Sequence, residues 1–546
     1  MDERLLDDCL SNRDGVLFIE EMSAADLVGQ FGSPLFVFSE DQIRRNVRRF
    51  HDAFEKGWTA GHVKVMPAVK ANWLFAVQRV LAEEGCGADI YSAGELDVAL
   101  RAGVDPQFIS ANGVPKDREH IRRTIEVGAR LTIDSLRDVE ILEEMAPTLS
   151  RTAAVRLRIR PAISEFVKKS DFSPDGMVPT DLVALLYKGG LSIDEVTEAG
   201  RRVMKLPNVE VVGFHAHHGR HHRSTLYWEA QMHAYARDIG RVCSALGDYR
   251  PQEISIGGGF AIPRDPHNAA THYSDPLLLG SLHWLSLGLK YLGEKVRYGV
   301  IDKLLTLIEG RPNAIAAPTI EQYGAATTAA LLDALPKHGV DPTGVMLQLE
   351  PGRSIHGNAG VHLSTVQATK RMTSPITWNL VTVDTSEFWM TGGRFEHHLH
   401  HHCVANRLDA PAAMKADVVG RSCYGDRLLG AVRLPEVEIG DLFAFLDTGA
   451  YQEVSASNFN AMPRPAAVLV TGERAAVVRR AEDLDDVFRR DVLPEHLVPA
   501  HALKEGVDER GGGGSTEGDQ QPEQQNRDED RGQPPLLVGH QKTDQL

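Results

Sequence analysis

The feature that most constrains the fold of this chain is a regular alternation of strand-like runs with helical patterns. Eight short apolar runs of strand character lie between residues 63 and 350, and helical patterns separate most of them. The runs are Val63–Val69, Ala88–Ser92, Phe108–Ala111, Arg130–Asp134, Val155–Arg160, Val209–His215, Glu253–Gly257 and Val345–Glu350. This pattern predicts an α/β fold, the (β/α)8 TIM barrel. A doubly wound open sheet is the alternative, because alternation alone does not separate the two folds.

The regions on either side of the predicted barrel have a different character. After Glu350 the chain changes to short β-like runs separated by Gly, Pro and Asp, which predicts a C-terminal β-sandwich or β-barrel domain over residues 361–490. Residues 1–44 contain the strand-like run Pro34–Phe38, which we expect to join the sheet of that second domain. The β-like runs of the second domain are Trp378–Val383, Ala416–Val419, Asp441–Phe445 and Ala467–Thr471.

The barrel itself is expected at residues 45–360, which is longer than eight simple repeats require. An average βα unit takes about 30 residues, so the interval between the seventh and eighth runs carries an insertion at about residues 262–340. Its apolar stretches, Leu277–Leu292 and Ile301–Ile308, predict extra helices. We interpret these helices as a lid or an interface near the barrel mouth. An insertion that lies far from the site is an equally good alternative. Residues 506–546 have almost no apolar side chains, which predicts a disordered C-terminal tail.

Composition excludes several classes of protein. The 546 residues include 75 acidic and 59 basic side chains, a formal net charge of -16, which argues against a nucleic-acid-binding protein. The five cysteines are scattered and form no C-x-x-C pair, which is typical of a reducing compartment. No apolar stretch follows the acidic N-terminus, and none is long enough for a membrane helix. We therefore expect a cytoplasmic protein without a nucleic-acid or membrane partner.

Residues that could bind and react collect at the ends of the predicted barrel strands, the face where such barrels place their active sites. Lys70 follows the first run, His217 the sixth, and Glu350 and Arg353 lie at the end of the eighth. The seventh run ends in three glycines, Gly257, Gly258 and Gly259. Glycines let backbone N–H groups turn toward an anion, and an arginine adds a charge-assisted donor. This predicts a phosphate site, with an ordinary tight turn as the alternative for the glycines alone.

An amine, a carboxylate and a phosphate site in one barrel mouth suggest the cofactor pyridoxal 5'-phosphate. Lys70 would hold the cofactor aldehyde as a Schiff base. Glu350 would pair with the ring nitrogen, an interaction worth roughly 4 kcal/mol at about 4 Å and an effective dielectric near 20. Such a pair keeps the ring protonated at neutral pH, as decarboxylation requires. Considered alone, Lys70 is more simply interpreted as a surface loop lysine.

Seven short motifs occur in a characteristic order between about Pro34 and Pro465. They are Pro67–Asn72, Gly87–Leu96, the His217-x-Gly219 turn, Gly257–Gly259, Glu350–Arg353, Cys423–Asp426 and Gly449–Tyr451. With these motifs the chain resembles the fold-type III pyridoxal-phosphate-dependent decarboxylases, the diaminopimelate and ornithine decarboxylase group. The segment Ser92–Leu96 resembles the diaminopimelate branch more closely than the ornithine branch.

The resemblance implies an amino-acid decarboxylase with an N-terminal barrel and a C-terminal β domain. It implies that Lys70 carries pyridoxal 5'-phosphate, that His217 stacks on the ring and that Tyr451 contacts the phosphate. Cys423 would be the thiol that reprotonates the substrate carbon, supplied by the second subunit of a homodimer with shared active sites. Further cofactor contacts are expected at Gly257, Gly258, Gly259, Glu350, Pro351, Gly352 and Arg353, and substrate contacts at Arg353, Arg394, Tyr424, Asp426 and Tyr451.

Two departures from the family pattern concern the substrate. Arg220 stands where the family usually has a serine after His-x-Gly. The diaminopimelate enzymes carry Cys-Glu-Ser-Gly-Asp, whose glutamate reads the distal amino-acid centre, whereas Cys423 is followed here by Tyr424, Gly425 and Asp426. The reaction class survives these changes, but the amino acid, or carrier-linked amino acid, that serves as substrate stays open.

Two groups of histidines raise the question of a metal, because neutral imidazoles suit zinc or nickel. Neither group has the helical spacing with a glutamate that marks a metalloprotease. We therefore expect solvated polar loops and no metal. The histidines are His215, His217, His218, His221 and His222 in one group and His397, His398, His400, His401 and His402 in the other.

Other functions stay open at this point. A pyridoxal-phosphate-dependent racemase would use the same residues, although Cys423 favours decarboxylation. A catalytically inactive homologue that binds a partner through the dimer surface is a second alternative, and the retention of Lys70, Glu350 and Arg353 argues against it. A metal-dependent hydrolase is the weakest alternative.

Overall fold

The computed structural model describes residues 8–160, 188–219, 224–262, 269–271, 276–307, 311–312, 317–391, 400–423 and 425–497. Predictions for residues 506–546 lie outside this range. The chain divides into two compact units, residues 1–481 and 482–546. Among the described residues, no helix is both long and apolar enough to cross a membrane.

The first unit begins with a small antiparallel sheet, two helices and a strand. The elements are β1 (Leu10–Arg13), β2 (Val16–Ile19), β3 (Met22–Ser23), α1 (Ala24–Phe31), β4 (Leu35–Ser39) and α2 (Glu40–Gly57). Ser23 and Ser39 begin the two helices, because each side-chain oxygen accepts a hydrogen bond from a backbone N–H of the first turn. Helix α2 then leads into the barrel.

All eight predicted barrel strands are confirmed, most of them shorter than predicted. They are β5 (Val63–Val65), β6 (Ala88–Ile90), β7 (Ile109–Ala111), β8 (Arg130–Ile133), β9 (Ala153–Arg158), β10 (Val209–His215), β11 (Glu253–Ser255) and β14 (Met346–Leu349). They form one parallel sheet in the order β5-β14-β11-β10-β9-β8-β7-β6.

The two edge strands of this sheet also meet. Gly87 N–H donates to the Val65 carbonyl at 2.9 Å, and Asp89 N–H donates to the Pro67 carbonyl at 3.1 Å. These bonds join β6 to β5 and to the chain just beyond it, so the sheet curls into the (β/α)8 barrel. The open-sheet alternative is wrong.

Helices cover the outside of the barrel. Among the described residues between β5 and β11 they are α3 (Phe75–Glu83), α4 (Ala93–Ala102), α5 (Arg118–Val127), α6 (Leu136–Met145), α7 (Ile193–Val203) and α8 (Thr225–Ala245). Ser135 and Asp138 form a complete capping box at the start of α6. At the start of α4, Ser92 accepts from Glu95 N–H, but the Glu95 carboxylate accepts from Tyr91 N–H instead of completing the box.

The long interval after β11 contains helices, as predicted. Its elements are β12 (Ala269–Thr271), α9 (Pro276–Gly288), a 3₁₀ turn (Leu289–Leu292), α10 (Glu294–Leu307) and β13 (Arg311–Pro312). Helix α11 (Ile320–Lys337) follows and packs against α2 and α8 on the outside of the barrel. Beyond β14 the chain forms the short helix α12 (Arg353–His356) and leaves the barrel.

A nine-stranded β sheet forms the rest of the first unit, and the four predicted runs are strands of it. Its elements after α12 are β15 (Gly360–Met372), β16 (Trp378–Val383), β17 (His402–Val404), β18 (Met414–Val419), β19 (Arg427–Leu434), β20 (Leu442–Leu446), β21 (Ala466–Thr471) and β22 (Arg474–Arg479). In the second unit the described residues form helix α13 (Leu484–Phe488) and a 3₁₀ turn (Glu495–Leu497).

Strand β4 is the ninth strand of this sheet, which confirms that the N-terminal run joins it. It lies antiparallel to β15 and parallel to β21. Its side chains alternate between two cores, as the period of a strand requires. Phe36 and Phe38 pack with barrel residues, whereas Leu35 and Val37 pack in the second core with the small N-terminal sheet.

Because side chains of β4 pack in both cores, removing a large one should lower the free energy of unfolding more than a substitution at the sheet surface does. Phe38 is 2% exposed, and Phe38→Ala should lower the free energy of unfolding by about 3–5 kcal/mol. Val477→Ala in β22 is the control, since Val477 is 51% exposed and should cost less than about 0.5 kcal/mol. Denaturant unfolding of both variants measures the difference. Equal stabilities would contradict the position of β4 between the cores.

Candidate active site

Lys70 lies in a 3₁₀ turn, Val69–Ala71, and not at the end of a strand as predicted. Strand β5 ends at Val65, and Pro67 has no N–H with which to continue the ladder. The chain nevertheless stays beside the barrel, because Ala68 N–H donates to the Pro351 carbonyl at 3.0 Å. The turn therefore still places Lys70 at the carboxyl ends of the strands.

The amine of Lys70 pairs with a buried carboxylate. Its Nζ lies 3.1 Å from Asp89 Oδ2; the lysine side chain is 46% exposed and that of Asp89 is 5% exposed. Desolvation lowers the pKa of the Lys70 amine, but the charges of Asp89, Tyr451 and Glu350 raise it more, so the pKa lies above its ordinary value. The amine of the protein alone is therefore protonated at neutral pH.

Asn112, which follows β7, connects Asp89 to the second carboxylate of the site. Its Nδ2 donates to Asp89 Oδ1 at 2.8 Å and to Glu350 Oε1 at 3.0 Å. Its Oδ1 accepts from Ser110 Oγ at 3.0 Å and from Arg156 Nη2 at 3.1 Å. These donors fix the orientation of the amide, so both N–H bonds must point at the two carboxylates.

Glu350 is buried among donors from neighbouring barrel strands. Besides Asn112, Ser255 Oγ donates to its Oε1 at 3.0 Å and His215 Nε2 lies 2.9 Å from its Oε2. Arg156 Nη2 lies 3.6 Å from Oε1. Burial raises the pKa of Glu350, but His215, Arg156 and Ser255 together lower this pKa by more than burial raises it. The pKa of Glu350 is therefore below its usual range. The side chain is a carboxylate before any ligand binds.

His217 and the glycine turn lie side by side. Gly258 N–H donates to His217 Nδ1 at 3.3 Å. Burial and the charges of Lys70 and Arg158 lower the pKa of His217 well below its usual value, so its ring stays neutral. Gly257 and Gly259 have φ of +69° and +102°, and a Cβ on Gly258 would lie 2.1 Å from the Glu350 carbonyl. Close backbone approach therefore requires glycine at this turn.

Tyr451 joins the β domain to the Lys70 turn. Its N–H donates to the Ala71 carbonyl at 2.8 Å. Its hydroxyl occupies the space beside Gly352, where a Cβ would lie 2.5 Å from the phenolic oxygen. The guanidinium carbon of Arg353 lies 5.1 Å from the centre of the Tyr451 ring. The predicted phosphate residues Gly352, Arg353 and Tyr451 therefore lie together.

This residue set fits pyridoxal phosphate. The amine of Lys70 and the ionised carboxylate of Glu350 are joined through Asp89 and Asn112, which suits the aldehyde and the ring nitrogen of one small cofactor. At the glycine turn, Gly258 packs against the Glu350–Pro351 backbone with no room for a side chain, which leaves main chain for a phosphate.

Cys423 and Asp426 lie in a loop of the β domain, and the structure gives them different surroundings. Cys423 is exposed and contacts Asn460. Asp426 is 2% exposed, and its two carboxylate oxygens accept from the backbone N–H groups of Glu387 and Ser422. The other predicted substrate residues, Arg394 and Tyr424, lie outside the described residues, as does Arg220.

The expectation that the histidines form solvated loops is wrong for His215, His218 and His400, which are buried. His215, His218 and His400 are 1%, 3% and 3% exposed; the first two end or follow β10, and His400 precedes β17. Burial lowers the pKa of His218 to about 3 and that of His400 to about 4, so both rings are neutral. No group of three potential metal ligands occurs in the described part of the chain.

Sequence reasoning did not identify the residues that surround Lys70 and Glu350. Asp89 is near the end of β6 and Asn112 directly follows β7, so each is a polar residue at the carboxyl end of an apolar strand. That position in a barrel is the signal that could have found them. The residues missed are Asp89, Asn112, Arg156 and Ser255, together with His215, which the sequence indicates only as a possible metal ligand.

Glu95, beside this network, gives a test of the electrostatics of the site. Burial and the charge of Asp89 raise its pKa to about 6 from 4.5. A carboxyl with a raised folded pKa loses stability as the pH rises from 4.5 through 6, because ionisation is disfavoured in the fold. Glu95→Gln removes that loss, and its amide oxygen can still accept from Tyr91 N–H. The Glu95→Gln variant should therefore be more stable than the wild-type protein at pH 8, by on the order of 1 kcal/mol.

Denaturant unfolding at pH 8 and near pH 4.5 measures this difference, which should vanish at the lower pH. The control is Glu140→Gln, an exposed glutamate on α6 that pairs with Arg137 at 2.8 Å, so this variant should gain no stability at pH 8. A gain for Glu95→Gln that does not depend on pH would contradict the account of the site.

Known proteins are similar to this chain over most of its length. A family model described as the pyridoxal binding domain of pyridoxal-dependent decarboxylases matches residues 40–277. The diaminopimelate decarboxylase of Archaeoglobus fulgidus is 30% identical over 491 residues, covering 89% of this chain and 100% of that protein. The diaminopimelate decarboxylase of Pseudomonas aeruginosa is 30% identical over 490 residues, covering 89% and 99%.

A solved structure is similar as well. The crystal structure of diaminopimelate decarboxylase from M. jannaschii has 26% sequence identity and a TM-score of 0.74, covering 90% of this chain and 99% of that one. The similarity thus includes both the barrel and the β domain. The chain belongs to the pyridoxal-dependent decarboxylase family and is closer to its diaminopimelate branch.

Proposed function

We propose that this protein removes the α-carboxylate of an amino acid as carbon dioxide and that Lys70, Glu350 and Cys423 are its catalytic residues. The observation that carries the proposal is the connected group Lys70–Asp89–Asn112–Glu350 beside a glycine turn. Membership of the pyridoxal-dependent decarboxylase family gives the reaction class.

The cofactor would be held by residues from both the barrel and the β domain. Lys70 would hold the aldehyde, Glu350 the ring nitrogen and His217 the ring face. The phosphate would be held by Gly257, Gly258, Gly259, Pro351, Gly352, Arg353 and Tyr451. When bound, pyridoxal phosphate supplies an electron sink for the pair left behind by carbon dioxide.

The chain's own side chains set the charges around that sink. Glu350 stays ionised because Asn112, Ser255 and His215 all donate to it. A carboxylate at the ring nitrogen favours the protonated ring. His217 stays neutral and so adds no charge at the ring face. The active site is therefore preorganised for an electron-poor ring.

Cys423 would return a proton to the carbon that has lost carbon dioxide. We place it in the neighbouring subunit's site, which makes the functional unit a homodimer. The exposure of Cys423 on the β domain is consistent with a role outside its own subunit. We also propose a cytoplasmic location, because the five cysteines are all free thiols.

The substrate is proposed to be an amino acid other than meso-diaminopimelate, or one linked to a carrier. The relatives named above are diaminopimelate decarboxylases, and one such structure, that from M. jannaschii, was solved in complex with L-lysine. This chain has no glutamate directly after Cys423, where that branch has one. A site that lacks the partner of a charged distal group loses its discrimination for that group.

Attachment of the cofactor to Lys70 can be tested against a competing lysine. Burial lowers the pKa of Lys64 on β5, so ionisation alone makes Lys64 the more reactive amine. Borohydride reduction of the loaded protein should nevertheless fix the cofactor on Lys70, as read by peptide mass spectrometry. Lys70→Arg should abolish the label and Lys64→Arg should keep it. A label on Lys64, or persistence of the label in Lys70→Arg, would contradict the assignment.

Substrate preference can be tested with a panel of amino acids. Diaminopimelate, ornithine, lysine, arginine and glutamate should be compared by kcat/KM for carbon dioxide release. We expect diaminopimelate to be a poor substrate relative to another amino acid or a carrier-linked one. A preference for diaminopimelate of more than about 100-fold would show that another residue has taken over the role of the glutamate.

The shared site can be tested by mixing two inactive variants, Lys70→Ala and Cys423→Ala. A heterodimer has one site with both residues intact and one with neither. Random exchange makes half of the dimers heterodimers, so about a quarter of wild-type activity should return. A tag on one variant should report the exchange independently. Complete exchange without recovery would place Cys423 in its own subunit's site or outside the chemistry.

A further inference from the structure

A side chain that neither the motifs nor the family resemblance assigns contacts the proposed acid at two points. Cys423 N–H donates to Asn460 Oδ1 at 3.0 Å. Asn460 Nδ2 lies 3.3 Å from Cys423 Sγ and donates to it. Because Oδ1 is fixed by the backbone N–H, the amide cannot be turned over without losing that bond. The sulfur therefore faces a donor and not an acceptor.

The backbone of Asn460 is held in a conformation that suits this contact. Its φ is +59° within the 3₁₀ turn Phe459–Ala461, in the left-handed region that asparagine tolerates better than most residues. The neighbouring Phe459 ring stacks on Phe388, with centroids 3.9 Å apart and an interplanar angle of 14°. Ser457 N–H also donates to the Phe388 carbonyl at 3.0 Å. The turn that carries Asn460 is thus attached to the segment of residues 385–388.

The loop that carries Cys423 is attached to the same segment. Asp426 accepts from Glu387 N–H at 2.6 Å with one carboxylate oxygen and from Ser422 N–H at 2.7 Å with the other. Arg421 N–H donates to the Thr385 carbonyl at 3.0 Å. Both partners of the thiol contact are therefore anchored to one support, and their separation is set by the fold.

We propose that Asn460 is a positioning residue for Cys423: its amide holds the sulfur in place and stabilises the thiolate that remains after proton delivery. This inference deepens the proposed function and rests on it for the role of the thiol. Asp426 then anchors the loop, a role distinct from the substrate contact expected from the family resemblance.

The chemistry balances without a further reactant. The S–H bond of Cys423 breaks, the proton goes to the carbon that carbon dioxide has left, and sulfur keeps the electron pair as a thiolate. The thiolate then takes a proton back from solvent. An N–H donated to sulfur favours the charged form, so the step is easier with Asn460 in place.

The chain permits a direct measurement of this contact. Cys423 is exposed, whereas the other cysteines are buried, so a soluble alkylating reagent should react first with Cys423. The reaction requires the thiolate, which is a minor form of an ordinary thiol at pH 7.5. The buried cysteines are Cys9, Cys86, Cys243 and Cys403.

The experiment measures the rate of Cys423 alkylation by iodoacetamide in the purified holoenzyme at pH 7.5, by peptide mass spectrometry. Asn460→Asp keeps the acceptor for Cys423 N–H but puts a charge opposite sulfur, and should slow alkylation about 5-fold. Asn460→Gly suits the left-handed backbone but removes the donor, and should slow it about 2- to 3-fold. The control Asn458→Asp adds the same charge in the neighbouring sequence, where the Asn458 amide faces the Met462 carbonyl. It should change the rate less than either Asn460 variant.

The outcomes separate the possible roles. If Asn460 only stabilises the loop, both Asn460 variants loosen it and alkylation becomes faster or stays unchanged, which would overturn the proposal. If Asn458→Asp slows alkylation as much as Asn460→Asp does, the slowing comes from added negative charge in general. That result would also overturn the proposal. Product analysis tests the proposed function separately. If Cys423→Ala releases carbon dioxide at the wild-type rate and gives only the amine, the thiol is not the acid, even where the alkylation rates confirm the contact.

Discussion

The site depends on one buried charge, the carboxylate of Glu350. A carboxylate in the interior of a barrel is costly unless donors compensate for the lost water. Here the compensation comes from side chains on separate strands: Arg156 on β9, His215 on β10, Ser255 on β11 and Asn112 after β7. These donors surround the carboxylate only in the closed barrel, so the ionisation of this buried group is compensated by the fold itself.

Asn112 extends this constraint to Lys70. One amide donates to both Glu350 and Asp89, and Asp89 in turn pairs with the lysine amine. The amine and the carboxylate are thus placed relative to each other by the fold before any cofactor binds. Such preorganisation avoids reorganisation of the site during the reaction.

Much of the fold and of the candidate site can be predicted from the sequence, but not all of it. Alternating strands and helices predict the barrel, and strand ends point to Lys70, His217 and Glu350. Barrel closure needs β5 to pair both with β6 and with the distant strand β14, and periodicity does not encode which strands pair. The extended run before Lys70 looks like one strand, yet Pro67 ends its ladder. The loop histidines look solvated because polarity suggests exposure, whereas tertiary packing buries His215 and His218. The roles of Asn112 and Asn460 depend on contacts between distant segments, and no local pattern predicts them.

The central claim is that Glu350 is the preformed partner of the cofactor ring nitrogen. The most direct test is a crystal structure of the protein loaded with pyridoxal phosphate. The account predicts continuous density from Lys70 Nζ to the cofactor, a Glu350 oxygen within hydrogen-bond distance of the ring nitrogen, roughly 2.7–3.2 Å, and the phosphate against Gly257–Gly259. A ring nitrogen that faces any group other than Glu350, or a cofactor attached away from Lys70, would contradict it.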